Sequence, residues 1–207
     1  MYKKSVIVFE GIEASGKSMH IQNVVKFLKK KKLSFIKIRE PGGNANSEKI
    51  RKLILNKNSN FNPVTDLYLY LASRSENFDK IIKKNYKKKI ILIDRFVDST
   101  IAYQHYGMGL NKKLIDLNNK FILKNIKIDF TFLNLVNKKN LIKRLKKRKK
   151  LNRYDKFELN FYNKVQNGFI KISKKNKKKY LIIDSNNELK FNKEEVINKV
   201  KKMINKK

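Results

Sequence analysis

Short apolar runs alternate with longer amphipathic stretches along the chain. Runs of this length without polar alternation are typical of strands that are covered on both faces. The predicted strands are residues 5–10, 34–39, 90–94, 128–134 and 180–184. Their separation by helical stretches predicts an α/β fold, with a five-stranded parallel sheet flanked by helices.

The stretches between these runs have the 3.6-residue periodicity of helices. The predicted helices are residues 17–30, 46–56, 64–84, 111–124, 137–149, 156–175 and 193–204. Repeats and linker-like segments are absent from the sequence. Residues 1–207 are therefore predicted to form a single domain, which is long enough to bury a substantial core.

Composition excludes several classes of site. The chain has no cysteine, so disulfides, thiolate metal sites and a cysteine nucleophile are excluded. It has no run of about 18 apolar residues, so we expect no membrane-spanning helix. The first apolar run leads into a glycine-rich loop rather than a cleavage site, which argues against a signal peptide. We therefore expect a cytoplasmic location and no membrane partner.

The net charge of +35, from 52 Lys+Arg and 17 Asp+Glu, has two interpretations. One is a nucleic-acid-binding protein that neutralises phosphates. The other is a solvated lysine-rich surface. Lysine runs spread along the whole chain, at residues 29–32, 87–89 and 177–179, and they lack interleaved stacking aromatics. We therefore expect no specific nucleic-acid partner, although the charge would attract anionic nucleotides.

Residues 11–18 read GIEASGKS and match the phosphate-loop pattern G-x-x-x-x-G-K-[ST], between a predicted strand and a predicted helix. Lys17 is expected to reach the β and γ phosphates of ATP, and the Ser18 hydroxyl to bind Mg²⁺. Backbone N–H groups and the helix N-terminus would hold the remaining phosphate oxygens. The residues predicted to bind ATP are Gly11, Ile12, Glu13, Ala14, Ser15, Gly16, Lys17 and Ser18.

Four further segments point to the acceptor. They read REPGG at residues 39–43, YLASR at 70–74, DRFVDSTIAYQ at 94–104 and RLKKRKKLNRYDKFE at 144–158. Together with the phosphate loop, and in this order, they resemble the thymidylate kinase family over about residues 5–184. The resemblance implies a P-loop nucleoside monophosphate kinase fold with a lid near residues 144–156. It also implies ATP and Mg²⁺ as cofactors, dTMP as the acceptor, and a homodimer.

Two polar residues end the third predicted strand beside the phosphate loop. Asp94 suits the outer shell of Mg²⁺. Arg95 can hold a phosphate through two parallel hydrogen bonds. The resemblance implies that Arg95 binds the acceptor phosphate and that Arg39 contributes nearby.

The resemblance also implies the walls of the acceptor pocket. Arg74 would hydrogen-bond to thymine, and Tyr70, one helical turn earlier, would stack on it where the family usually has phenylalanine. Tyr103 would crowd the 2′ position of the sugar, and Glu13 would meet the sugar 3′-hydroxyl or the metal. Further residues expected to line this pocket are Ser99, Thr100 and Gln104.

Phosphoryl transfer needs positive charge over the moving group and exclusion of water. The resemblance implies a catalytic arginine from either the phosphate loop or the lid. The loop has no arginine among its variable positions, so the lid is expected to supply it, as in bacterial members. The candidates, in falling order of preference, are Arg148, Arg144 and Arg153. Lys156 stands where the family has an arginine; it keeps the charge and loses the forked geometry.

The sequence predicts direct in-line transfer of the γ-phosphoryl group from ATP to dTMP. Two alternatives remain open at this point. A deoxynucleoside kinase would also carry a DR pair and a nucleoside pocket. A basic nucleic-acid-binding protein with a vestigial phosphate loop would belong to a different class.

Overall fold

The computed structural model describes residues 2–148 and 152–205. All five strands are parallel, and their order across the sheet is β2-β3-β1-β4-β5. The strands are Val6–Glu10 (β1), Phe35–Arg39 (β2), Ile90–Asp94 (β3), Phe130–Leu135 (β4) and Tyr180–Asp184 (β5). The predicted five-stranded parallel sheet is confirmed. Because β1 is the central strand, its carboxyl end opens between β3 and β4.

Helices cover both faces of the sheet, and their bounds mostly follow the predicted ones. They are Lys17–Lys30 (α1), Ala45–Leu55 (α2), Pro63–Asn77 (α3), Lys83–Asn85 (α4), Val97–Thr100 (α5), Lys112–Leu123 (α6), Lys138–Lys146 (α7), Leu159–Lys174 (α8) and Leu189–Ile204 (α9). No helix of the described part of the chain is long and apolar enough to cross a membrane.

Successive side chains of β1 point to opposite faces of the sheet and contribute to two cores. Ile7 and Phe9 belong to the core that the sheet forms with α1 and α9. Val6 and Val8 belong to the core on the opposite face. All four side chains are buried, which accounts for the unbroken apolar run of this strand.

The predicted helix at 64–84 is three pieces. The helix α3 continues into a π-helical turn at Phe78–Ile82 and then into the short α4. A second π-helical stretch, Ile101–Gly107, extends α5 and was not predicted. The extra residue in a π-helical turn interrupts the 3.6-residue periodicity from which helices are predicted.

Other bounds differ from the predicted ones by up to four residues. The helix α9 begins at Leu189, four residues before the predicted start, and the apolar side chains of its first turn, Leu189 and Phe191, are exposed. A 3₁₀ turn at Arg153–Lys156 precedes α8, which begins at Leu159 rather than at 156. Residues 149–151 of the predicted lid, and the side chain of Lys156, lie outside the described residues.

Candidate active site

The phosphate loop leaves β1 through a conformation that requires glycine. Gly11 has a φ of 138°, and a Cβ atom there would collide with the backbone carbonyl of Asn134. Gly16, with a φ of 89°, stands immediately before α1. Both angles lie in the region that other residues rarely adopt. The loop therefore wraps around the N-terminus of α1, where backbone N–H groups favour an anion.

Lys17 lies inside the loop. Its Nζ donates hydrogen bonds to the carbonyl oxygens of Gly11, at 2.9 Å, and Ile12, at 2.8 Å. Burial, together with the neighbouring positive charge of Arg95, lowers the pKa of Lys17 to about 7. Phosphate oxygens in the loop would favour its charged form, because an opposite charge raises the pKa of an ammonium group.

Ser18 and Asp94 bring two oxygen donors together at the end of β3. The Ser18 hydroxyl donates to Oδ2 of Asp94 at 3.4 Å, and both residues line the phosphate side of the site. A hydroxyl and a single carboxylate suit Mg²⁺, which keeps several waters and takes its other ligands from phosphates. Within the described residues, no cluster of three acidic, histidine or cysteine side chains offers a competing metal site.

Two cavities open at the carboxyl edge of the sheet. The first, the phosphate groove, runs along the loop and past Arg39, Asp94 and Arg144. The second, the aromatic pocket, is walled by Tyr70, Arg74, Phe96, Ser99, Thr100, Tyr103, Gln104, Asn152 and Tyr154. The residues that line both cavities are Glu13, Glu40, Arg51, Arg95 and Arg148. The cavities therefore meet, with three arginines at their junction.

Arg95 is held at this junction by the phosphate loop. It adopts a φ of 64° and donates to the carbonyl of Gly11 at 2.8 Å and to Oε1 of Glu13 at 2.9 Å. Burial alone would raise the pKa of Glu13, but the charges of Arg95 and Lys17 outweigh it and lower that pKa. Glu13 is therefore ionised at neutral pH, and it orients an arginine between the cavities.

Arg39 lies at the open rim of the phosphate groove. Its guanidinium pairs with Glu48 at 3.0 Å, and the Arg39 side chain is 52% exposed. Glu48 also accepts a hydrogen bond from the backbone N–H of Gly43 at 2.9 Å. The REPGG segment therefore has a structural ion pair that leaves Arg39 facing the groove, and its predicted contact with the acceptor phosphate stays a prediction.

Arg74 is buried behind the aromatic pocket. It donates to Glu40 at 2.8 Å, to Asn119 at 2.6 Å and to the Thr100 hydroxyl at 2.9 Å. Its guanidinium also lies over the ring of Phe96 at 5.1 Å. Contacts with the described residues thus engage three of its five N–H groups, which leaves two for a ligand. Its predicted bond to a base stays a prediction.

Three tyrosines surround the aromatic pocket. The ring of Tyr154 lies edge-on to Tyr70 at 6.2 Å and to Tyr103 at 5.8 Å. Burial raises the pKa of all three hydroxyls, so they stay protonated and act as donors. Tyr103 donates to Glu13, which ties the pocket to the phosphate loop.

Ser99 and Gln104 line the aromatic pocket, and each side chain is held by a buried carboxylate. The Ser99 hydroxyl donates to Glu10 at 2.5 Å, and Gln104 donates to Asp66 at 3.1 Å. The structure therefore brings together the substrate residues predicted from the 70–74 and 94–104 segments.

The three lid arginines have different positions. Arg148 lines both cavities and pairs with Asp155. Arg144 donates to the carbonyls of Ala14, at 3.1 Å, and Ser185, at 2.6 Å, so it braces the phosphate loop. Arg153 pairs with Asp66, and it is not among the described residues that line the two cavities. The geometry favours Arg148 over Arg144, and it does not bring Arg153 to the phosphates.

Besides pocket walls such as Glu40, Asn152 and Tyr154, sequence reasoning missed three residues that build the site. Buried Glu10 accepts hydrogen bonds from the backbone N–H groups of Phe96, at 2.8 Å, and Ser99, at 3.2 Å. Burial and the nearby Asp98 raise the pKa of Glu10 to about 7. Arg51 donates to the carbonyl of Pro41 at 2.6 Å and reaches both cavities. The third missed residue is Asp66. Of these three, only Glu10 could have been predicted as a site residue, because it stands directly before the glycine loop.

Comparisons with known proteins agree with this site. The thymidylate kinase family model matches residues 9–196. A thymidylate kinase of Thermoanaerobacter sp. (strain X514) is 34% identical over 203 residues, which cover 98% of this chain and 100% of the relative. One of Acholeplasma laidlawii is 38% identical over 186 residues, covering 88% of this chain and 92% of the relative.

A solved structure is similar over nearly the whole fold. The crystal structure of thymidylate kinase from Ehrlichia chaffeensis superposes with a TM-score of 0.78 at 32% identity, covering 95% of this chain and 98% of that one. These matches confirm the resemblance that the motifs carry, and the chain belongs to the thymidylate kinase family.

Proposed function

We propose that the chain transfers the γ-phosphoryl group of ATP to the phosphate of dTMP, producing ADP and dTDP. The observation that carries the proposal is the meeting of two cavities at Arg95 and Glu13. One cavity runs along the phosphate loop, and the other has aromatic walls that can stack on a base. Transfer between two bound nucleotides requires this shared junction.

The donor lies along the phosphate loop. Lys17 neutralises charge on its terminal phosphates. Ser18 and Asp94 would hold Mg²⁺, which would supply further positive charge to the phosphates. The base of ATP continues into an adjoining groove lined by Met19, His20 and Asn192.

The acceptor lies in the aromatic pocket. Tyr70 offers its ring to thymine, and the two uncommitted N–H groups of Arg74 offer donors to a carbonyl of the base. Tyr103 and Glu13 border the sugar. Arg95, with Arg39 at the rim, binds the phosphate that is to be extended.

The chemical step needs little proton transfer. The attacking oxygen of dTMP is already ionised at neutral pH, so a general base is not required. It forms a bond to the γ phosphorus as the bond to the β-γ bridging oxygen breaks, and ADP leaves with that electron pair. Arg95 and Arg148, which both line the junction, stabilise the charge that spreads over the transferring group.

The chain is also proposed to act as a homodimer. Helix α3 packs against both α2 and α6, and the three carry exposed apolar side chains. These are Leu53, Val64, Tyr68, Leu117 and Phe121, between 45% and 80% exposed. An apolar face on a chain of charge +35 is best covered by a second copy of the same face, because a two-fold interface is self-complementary.

A parallel acceptor series tests the proposed reaction. ADP release is measured with ATP and Mg²⁺ against dTMP, dUMP, thymidine, dCMP and dGMP, with Lys17→Ala as the inactive control. The proposal predicts strong turnover with dTMP and none in the variant. Turnover with thymidine but not dTMP would make the chain a nucleoside kinase, and no turnover with any acceptor would contradict kinase activity altogether.

A further inference from the structure

Asp66 is a buried carboxylate that collects donors from two distant segments. It lies on α3 one turn before Tyr70, and its side chain is 1% exposed. Tyr154 donates its hydroxyl to Asp66 at 2.5 Å, Gln104 donates at 3.1 Å, and Arg153 forms an ion pair with it. Two of these partners come from the 3₁₀ turn of the lid, and one comes from the π-helical stretch beside the aromatic pocket.

Two of the three partners of Asp66 are walls of the aromatic pocket, although Asp66 itself stands behind them. Tyr154 and Gln104 both line the pocket. Tyr154 is also the ring that lies against Tyr70 and Tyr103. Asp66 therefore fixes the position of a lid tyrosine on top of the pocket.

The same lid turn also holds an arginine at the phosphate groove. Asp155, two residues after Arg153, pairs with Arg148 and accepts the backbone N–H of Asn152 at 2.9 Å. Arg148 lines both cavities. The 3₁₀ turn thus contacts Asp66 through Arg153 and Tyr154, and it contacts Arg148 at the phosphate groove through Asp155.

We infer that Asp66 is a positioning residue that latches the lid onto the acceptor pocket. With the latch made, Tyr154 closes the pocket and Arg148 faces the phosphates; with the latch broken, both lose their support. A carboxylate is required because three donors converge on it and one is a guanidinium. Its kinetic consequences rest on the proposed dTMP kinase activity.

The kinetic test uses variants of the latch and a matched control. Asp66→Asn keeps the size but replaces one acceptor oxygen by a donor, and Tyr154→Phe keeps the ring but removes the hydroxyl. Asp79→Asn is the control, because Asp79 follows the same helix, is 57% exposed and pairs only with Lys80 among the described residues. We expect Asp66→Asn to lower kcat/KM for dTMP by about 100-fold and Tyr154→Phe by about 10-fold, with the control unchanged.

A double variant separates a latch from general stabilisation. If Asp66 and Arg153 act as one unit, Asp66→Asn combined with Arg153→Gln will lose no more than about threefold beyond Asp66→Asn alone. Independent contributions would instead multiply, and that outcome contradicts the latch.

Limited proteolysis tests the latch without any activity. An arginine-specific protease can cut after Arg148 and Arg153, and we expect cleavage there to be at least about tenfold faster in both latch variants than in the wild type and in Asp79→Asn. Equal cleavage rates in folded variants would overturn the inference. If wild-type protein failed to use dTMP while the latch variants still opened, the proposed function alone would fail.

Discussion

Arg95 donates to Glu13 across 2.9 Å, and this ion pair stands where the phosphate groove meets the aromatic pocket. Both residues are largely buried. Arg95 also donates to the carbonyl of Gly11 in the phosphate loop, and Glu13 accepts a hydrogen bond from Tyr103. The pair holds the guanidinium of Arg95 between the donor site and the acceptor site. It also explains why a residue with a φ of 64° is tolerated directly after β3.

The first prediction concerns the geometry of that guanidinium. Arg95→Lys keeps the charge but loses the paired N–H groups that bind a phosphate and Glu13 together. We expect kcat/KM for dTMP to fall by about 100-fold, while KM for ATP changes by less than about threefold. Steady-state kinetics with each substrate varied in turn measure both values, with the exposed Lys37→Gln as control. An equal loss for ATP would show that Arg95 serves the donor.

The second prediction distinguishes the lid arginines. Arg148→Gln removes the charge that lies at both cavities, so we expect kcat to fall by about 100-fold with little change in either KM. Arg144→Gln removes the brace on Ala14 and Ser185, so its main effect should be a higher KM for ATP. Lys146→Gln, a neighbouring exposed position, controls for the loss of charge. A reversed pattern would make Arg144 the catalytic arginine.

Much of this site follows from local patterns in the sequence. Glycines at 11 and 16 and the lysine that follows predicted the loop, because such backbone angles exclude most other residues. The hydrogen-bond partners of the site residues could not be predicted from such local patterns. Glu10 meets Ser99 across 89 positions and Asp66 meets Tyr154 across 88, so only the folded sheet and lid bring them together.

The third prediction is a pH dependence from Glu10. Its pKa rises from an ordinary 4.5 to about 7 through burial and the charge of Asp98, against which Arg95 acts weakly. The folded protein therefore binds this proton more tightly than the unfolded chain does. Its contribution to stability is complete at low pH and is lost as the pH rises from about 5 through 7.

Glu10→Gln removes that titration. The difference in free energy of unfolding between the variant and the wild type should move in favour of the variant by roughly 2 kcal/mol between pH 5 and pH 7. Urea denaturation at intervals over this range measures it. The charge of Glu10 also acts on Asp98 and Lys17, so the difference reports the titration of Glu10 together with its interaction with these two groups. A difference that stays constant with pH would contradict the raised pKa.

The fourth prediction tests the dimer face. Phe121→Lys places a charge on the most exposed apolar side chain of α6, and we expect it to convert a dimer into a monomer. Sedimentation velocity over a range of concentrations reports the change. Phe191→Lys is the matched control, since Phe191 is 60% exposed on α9, away from this face. Wild-type protein that sediments as a monomer would refute the proposed assembly.

The most direct measurement follows the phosphoryl group itself. ATP labelled at the γ-phosphate is mixed with dTMP, Mg²⁺ and the enzyme, and the products are separated within a few turnovers. Transfer between the two cavities predicts that the label appears as the β-phosphate of dTDP, in step with ADP, with almost none as free phosphate. Label released as inorganic phosphate, or found in dTMP when thymidine is supplied, would contradict transfer to a bound monophosphate.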